Sequence, residues 1–293
     1  MSLKTFFTFG DLMNRKGMSF VALAGLVAPS NGCFEFNPNV GYVEILGTHH
    51  GTPQDGKFPD FGAAAQPRVF KNDEGWKIKL SATYVTTTAI ELESCTTEER
   101  APVELNWGPL AENFIEKGDR ANLGIGTDHQ FKTDLYCTLR ISFGPYDIEI
   151  DEDDEDPDHF HDTPEDDEIL GNTIYVRGTA EKDGEKKDFD VISDTEFVAK
   201  LDISYLINGD PFEIKKDPNP RRLIVSKVYD KFFEGVDFDK RRSEYEDAIE
   251  KAVVRSLKDY SYVTLGQSAD FPSSDIPSDK NGNDANGDNE DTN

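Results

Sequence analysis

A chain of 293 residues with 58 acidic and 31 basic side chains carries a formal net charge of -27. So acidic a surface repels nucleic acid and anionic lipid headgroups, which argues against either as a directly adsorbed partner. Hydrophobic residues at 36% and aromatics at 11% suffice for a packed core, in one large β domain or two smaller ones.

The first elements read as export machinery. In "MNRKGMSFVALAGLVAPSNGC", Arg15 and Lys16 precede an apolar run from Met18 to Ala28, and Gly32-Cys33 closes the stretch. A basic segment before an apolar run too short to span a bilayer is the layout of a secretory signal, here residues 1–32. The preceding "MSLKTFFTFGDL" carries Asp11 and lengthens the basic region, so Met13 is an alternative start. Gly32-Cys33 resembles a bacterial lipobox, with Cys33 as the acylated residue, although Pro29, Ser30 and Asn31 depart from the pattern. Cleavage near Ala28 without lipid, and a buried N-terminal helix, are the competing readings.

Residues 33–67 are rich in Gly, Pro and Asn and read as tether and loops, interrupted by "GYVEILG", a candidate strand. From Arg68 the pattern becomes β. "WKIKL" alternates Trp76, Ile78 and Leu80 with lysines, and "TYVTTTAIELESC" is rich in β-branched residues. "LYCTLRISF" places Leu135, Cys137, Leu139, Ile141 and Phe143 on one face before Gly144-Pro145 stops it. A hairpin is expected at Asp183-Gly184, and "FVAKLDISYLI" and "RLIVSKVY" are further strands. "RRSEYEDAIEKAVVRSLKDY" has helical spacing at Tyr245, Ala248, Ile249, Ala252, Val253 and Leu257. The expected fold is therefore all-β: an antiparallel β-sandwich over residues 68–265 with one C-terminal α-helix and an acidic inter-strand loop. Residues 266–293 are expected to form a disordered acidic tail.

Few residues here announce chemistry. Cys95 ends one expected strand and Cys137 lies on another, and a disulfide between them is the simplest pairing in an oxidising compartment. A thiolate metal site with His129 is the alternative, without CxxC spacing behind it. His49-His50 and His159-x-His161, with His129, are candidate copper or zinc ligands, against a reading as solvated loop histidines. The stretch "DEDDEDPDHFHDTPEDDE", 151–168, holds twelve carboxylates. From Asp154 it imitates calcium-loop spacing, but His159 stands where the turn needs glycine, so weak divalent binding is the most it supports. The tail "DKNGNDANGDNE" is a second near miss. No G-x-S-x-G, H-E-x-x-H or P-loop occurs, and "GIGTDH" lacks a strand-to-helix setting, so catalysis is not expected.

The segments "VFKNDEGWKIKLSATYVTTTAIELESC", "LYCTLRISFGP" and "GNTIYVRGTAEKDGEKKDFDV" resemble a group of uncharacterised bacterial exported lipoproteins. Those are similar in layout to the periplasmic copper-binding proteins associated with methanobactin operons. The resemblance spans residues 68–206 and implies a β-sandwich. In the copper-binding branch it implies metal ligation by histidine and a modified tryptophan. Neither Trp76 nor Trp107 matches that tryptophan, and only His129 remains near "RANLGIGTDHQF". The combined expectation is a non-catalytic, lipid-anchored protein of the bacterial cell envelope. Its partner would be the membrane through Cys33, with no nucleic acid, no cofactor and an unspecified protein partner. A periplasmic copper- or zinc-binding protein is the alternative.

Overall fold

Strand β1 (Val40–His50) opens the described part of the chain and is central to one of two sheets. The computed structural model describes residues 40–55, 68–105, 108–115, 123–147, 167–204, 206, 211–216 and 221–266, all within one compact unit, Pro38–Asn293. Cys33, His159, His161, Trp107, the expected signal and the C-terminal tail lie outside the described residues, as does 151–166 of the acidic stretch.

The larger sheet has nine strands and is organised by β3 (Lys77–Ser94), long enough at 18 residues to serve several partners in succession. Along it pair β2 (Val69–Lys71), β4 (Arg100–Val103), β5 (Leu110–Asn113), β7 (Leu135–Phe143) and β8 (Ile174–Lys182). Outward from these lie β9 (Glu185–Ser193) on β8, and β10 (Phe197–Asp202) and β11 (Phe212–Glu213) on β7. The β8–β9 hairpin turns at Asp183 and Gly184, both with positive φ as a two-residue hairpin requires.

The smaller sheet runs in the order β13 (Tyr262–Gly266), β12 (Arg221–Val228), β1, β6 (Leu123–Lys132). Its β1–β12 pair is parallel, while the other ladders are antiparallel. A parallel pair needs a long crossover, and here the crossover is most of the other sheet. Helix α1 (Arg242–Asp259) packs on β9, β10 and β12, burying Tyr245, Ile249, Ala252, Val253 and Leu257. Trp76 is fully buried with its ring 5.4 Å from that of Phe238, a core role that suits a tryptophan opening a strand.

Three expectations change. The candidate strand "GYVEILG" extends to Val40–His50, so residues 40–50 belong to the folded sheet rather than to the tether: β1 pairs with β6 and β12 along its two edges and is largely buried on both faces. The last described element is β13, a strand that follows the helix and was not expected. The inward face of β7 also shifts register. Leu139, Ile141 and Phe143 are buried as the alternation requires, but so is Tyr136 rather than Cys137. Ser94 faces Tyr136 while Glu93 faces Thr138, so Cys137 is the extra residue of a bulge. There it bonds Cys95, with the Cα atoms 5.0 Å apart.

The acidic stretch does join two strands, leaving after β7 and returning before β8. Its two roots are tied together. The Tyr146 amide donates to the Asn172 carbonyl at 2.9 Å, and the Gly171 amide donates to the Tyr146 carbonyl at 2.8 Å. Ile169, fully buried, packs with Tyr84, Tyr146 and Tyr175 in a small second cluster.

Candidate functional site

Two of the five histidines lie at the C-terminal end of β1, and alternation sends them to opposite faces of the smaller sheet. His49 points inward beside Lys227 of β12, continuing the buried rows Val43, Ile45 and Leu223, Val225. Between the sheets they meet Glu112 of β5, which belongs to the larger sheet. Lys227 donates to one carboxylate oxygen, and the Nδ1 of His49 donates to the other at 3.0 Å. Lys227, Glu112 and His49 are 1%, 4% and 8% exposed, so water does little to screen them.

Burial alone would push the Glu112 carboxyl up. The Lys227 charge and the His49 hydrogen bond outweigh it and hold the pKa at about 2. Aromatic rings close the surroundings, with Phe114 at 4.9 Å and Tyr229 at 6.1 Å from the imidazole. Arg68, fully buried, donates from Nε to the Phe114 carbonyl and stacks 4.8 Å over the Tyr229 ring.

His50 faces the other way. Its Nδ1 lies 2.6 Å from the Gly51 carbonyl, which can only accept, so Nδ1 carries the hydrogen. Nε2 therefore accepts from the Tyr262 hydroxyl at 2.8 Å, tying β13 to β1 across β12. Two residues on, Thr52 donates through its amide and hydroxyl to one oxygen of Asp230, at 2.9 and 3.0 Å.

Burial raises the Asp230 pKa above its ordinary 3.8, and the Thr52 bonds restrain the shift. A carboxyl with a raised folded pKa disfavours folding once pH climbs past its unfolded value. Asp230→Asn keeps an acceptor for Thr52 and removes the charge. It is expected to melt above wild type at pH 7, with the difference closing by about pH 3, in paired thermal denaturations.

The arrangement does not bring His49, His50 and His129 around one ion. His129 pairs with Val43, six residues before His49 on the neighbouring strand. At a rise of about 3.3 Å per residue this separates the two backbone positions by roughly 20 Å, beyond the reach of two imidazoles to one metal. Both oxygens of Glu112 are taken, one by a lysine ammonium that a cation would have to displace. Among the described residues no group of three or more His, Cys, Asp or Glu side chains is placed to hold a metal. What the cluster does is join the sheets, since one carboxylate from the larger sheet binds two donors from the smaller.

Lys227 was legible in part. In "RLIVSKVY" it occupies the inward register of Leu223 and Val225, and a charge at such a position calls for a buried partner. Glu112 gave no signal, because "LAEN" has neither period nor motif.

No family model matches the chain, and no curated protein matches it. Among solved structures, MbnP from Methylosinus trichosporium is similar over 64% of this chain and 76% of that one, with 14% sequence identity and a TM-score of 0.33. The likeness is distant.

Proposed function

We propose that this is an exported, lipid-anchored protein of the bacterial cell envelope, with a binding or structural role and no catalysis. The observation that carries the reading is the Cys95–Cys137 disulfide, which joins β3 to β7 at a bulge. Such bonds persist in oxidising compartments outside the cytoplasm. The sequence supports the same reading independently, with a basic segment, an apolar run and Gly32-Cys33 ahead of the folded unit. Glu112, Lys227 and His49 are bound to one another between the sheets, which suits a scaffold. Stable attachment through Cys33 takes more than one acyl chain, as bacterial lipoproteins carry.

Growth with radiolabelled palmitate tests the anchor. Label is expected on the wild type and to be lost in Cys33→Ala, while the disulfide forms in both. An unlabelled wild type removes the lipid anchor.

A further inference from the structure

The proposal rests on the lipid-anchored reading and names what the anchored protein meets. Seven residue steps separate Cys33 from Val40, the first residue of β1, a span of at most about 25 Å. A chain acylated at Cys33 therefore brings the N-terminal end of β1 toward the bilayer.

The strand pairings define that end of the sandwich. Val40 faces Lys132, the last residue of β6, and Val43 faces Arg221, the first of β12. The start of β7 pairs with β11, and the Lys215 carbonyl packs against Gly41 so closely that a Cβ there would sit 2.3 Å from it. Lys132, Lys215, Lys216, Arg221 and Arg222 thus gather around the start of β1, the three lysines exposed. Against Glu44, Glu99, Asp134 and Glu213 these five bases bring this end close to neutral, in a chain with 58 acidic and 31 basic side chains. The carboxylates beside them are engaged: Glu99 with Lys132 at 3.0 Å, Glu213 with Lys215 at 2.8 Å, and Glu44 with Arg222. Exposed pairs of this kind are weak, so the lysines can exchange a protein carboxylate for another anion. An open hollow of about 400 Å³ lies between Asp134 and Lys216.

The acidic insertion departs elsewhere. It follows Phe143, eight residues along β7 from Leu135, roughly 27 Å toward the opposite end of that strand. A net charge of -27 opposes adsorption to anionic lipid, and for a tethered molecule it also favours the orientation in which the root of the acidic stretch faces away from the surface.

We infer that the end of the sandwich bearing Lys132, Lys215 and Lys216 docks on anionic phospholipid headgroups beside the lipid anchor. Gly266, opposite Arg222, puts the start of the acidic C-terminal segment at this same end, so that segment is the rival occupant.

The test uses the full-length protein purified from envelopes, with acylation of Cys33 read by intact mass. It is reconstituted in vesicles of phosphatidylcholine alone or with phosphatidylglycerol, then labelled with an amine-reactive ester and mapped by peptide mass. On phosphatidylglycerol vesicles at low salt, Lys132, Lys215 and Lys216 are expected to label at least about fivefold more slowly than on phosphatidylcholine. Lys77 and Lys186, at the far end of β3 and in the β8–β9 hairpin, are expected to be unchanged. High salt is expected to abolish the difference. Equal labelling on the two vesicles overturns the proposal, as does protection confined to Lys77 and Lys186. Protection that is independent of lipid and lost on removing residues 267–293 assigns the surface to the acidic segment instead. A chain without acyl mass on Cys33 removes the anchor itself, and the orientation with it.

Discussion

Lys227→Ala is expected to lower folding stability by about 3–5 kcal/mol, the cost of leaving a buried carboxylate without its counter-ion. Glu112 would keep the His49 hydrogen bond but lose its counter-ion, in a space lined by Phe114 and Tyr229. The pair is not thereby worth that much in itself. Taking two charges out of water offsets most of their attraction, so Glu112→Leu combined with Lys227→Met is expected to lie within about 1–2 kcal/mol of wild type. Urea midpoints for the two single variants and the double separate these cases, and a Lys227→Ala loss under about 1 kcal/mol would contradict the buried bridge.

The pH dependence of this effect has a definite sign. Glu112 titrates near 4.5 in the unfolded chain and at about 2 in the folded one. A depressed folded pKa contributes stability at pH above about 4.5 that is lost as pH falls toward 2. The advantage of wild type over Glu112→Gln is therefore expected to be constant from pH 7 to about 5, and to shrink below it.

Removing the disulfide is expected to have an effect of similar size through a different state. Cys95 and Cys137 are 42 residues apart, and the loop between them carries β4, β5 and β6, so it contributes strands to both sheets. By the loop-entropy relation, opening it costs about 4 kcal/mol. In the folded protein the β3–β7 ladder already holds the two cysteines together, so the loss acts through a freer unfolded chain. The Cys95→Ser/Cys137→Ser variant is expected to melt about 10 °C lower and to show a larger urea m-value, with the folded sheets intact. A shift below about 2 °C would mean that the unfolded chain is little restrained by the bond.

Much of this scaffold could be read from residues. The alternation in "WKIKL" and "FVAKLDISYLI", the Asp183-Gly184 turn and the i, i+3, i+4 spacing after Arg241 each survive in the structure, because burial on one side imposes a period. Cys137 was placed on the wrong face of its strand for a reason the same argument explains. A bulge inserts one residue, and alternation then changes sides without any change in composition. The parallel pairing of β1 with β12 was hidden by distance, since no local pattern links Val43 to a partner at residue 221.

The candidate site was legible only in its histidines, and their roles were not. Adjacent histidines suggested a shared ion, but a β-strand sends neighbours to opposite faces, and each found a protein partner. What they join became visible only when Glu112, Lys227 and Tyr262 arrived from three other strands.

The reading of this chain as an exported protein stands on the state of two thiols in the living cell. Cells are treated with a membrane-permeant maleimide mass tag, then lysed, and the protein is tagged again after denaturation and reduction. No tag is expected on Cys95 or Cys137 before reduction, and both are expected to be tagged afterwards. Full tagging of both cysteines without reduction would place the protein in a reducing compartment and contradict it.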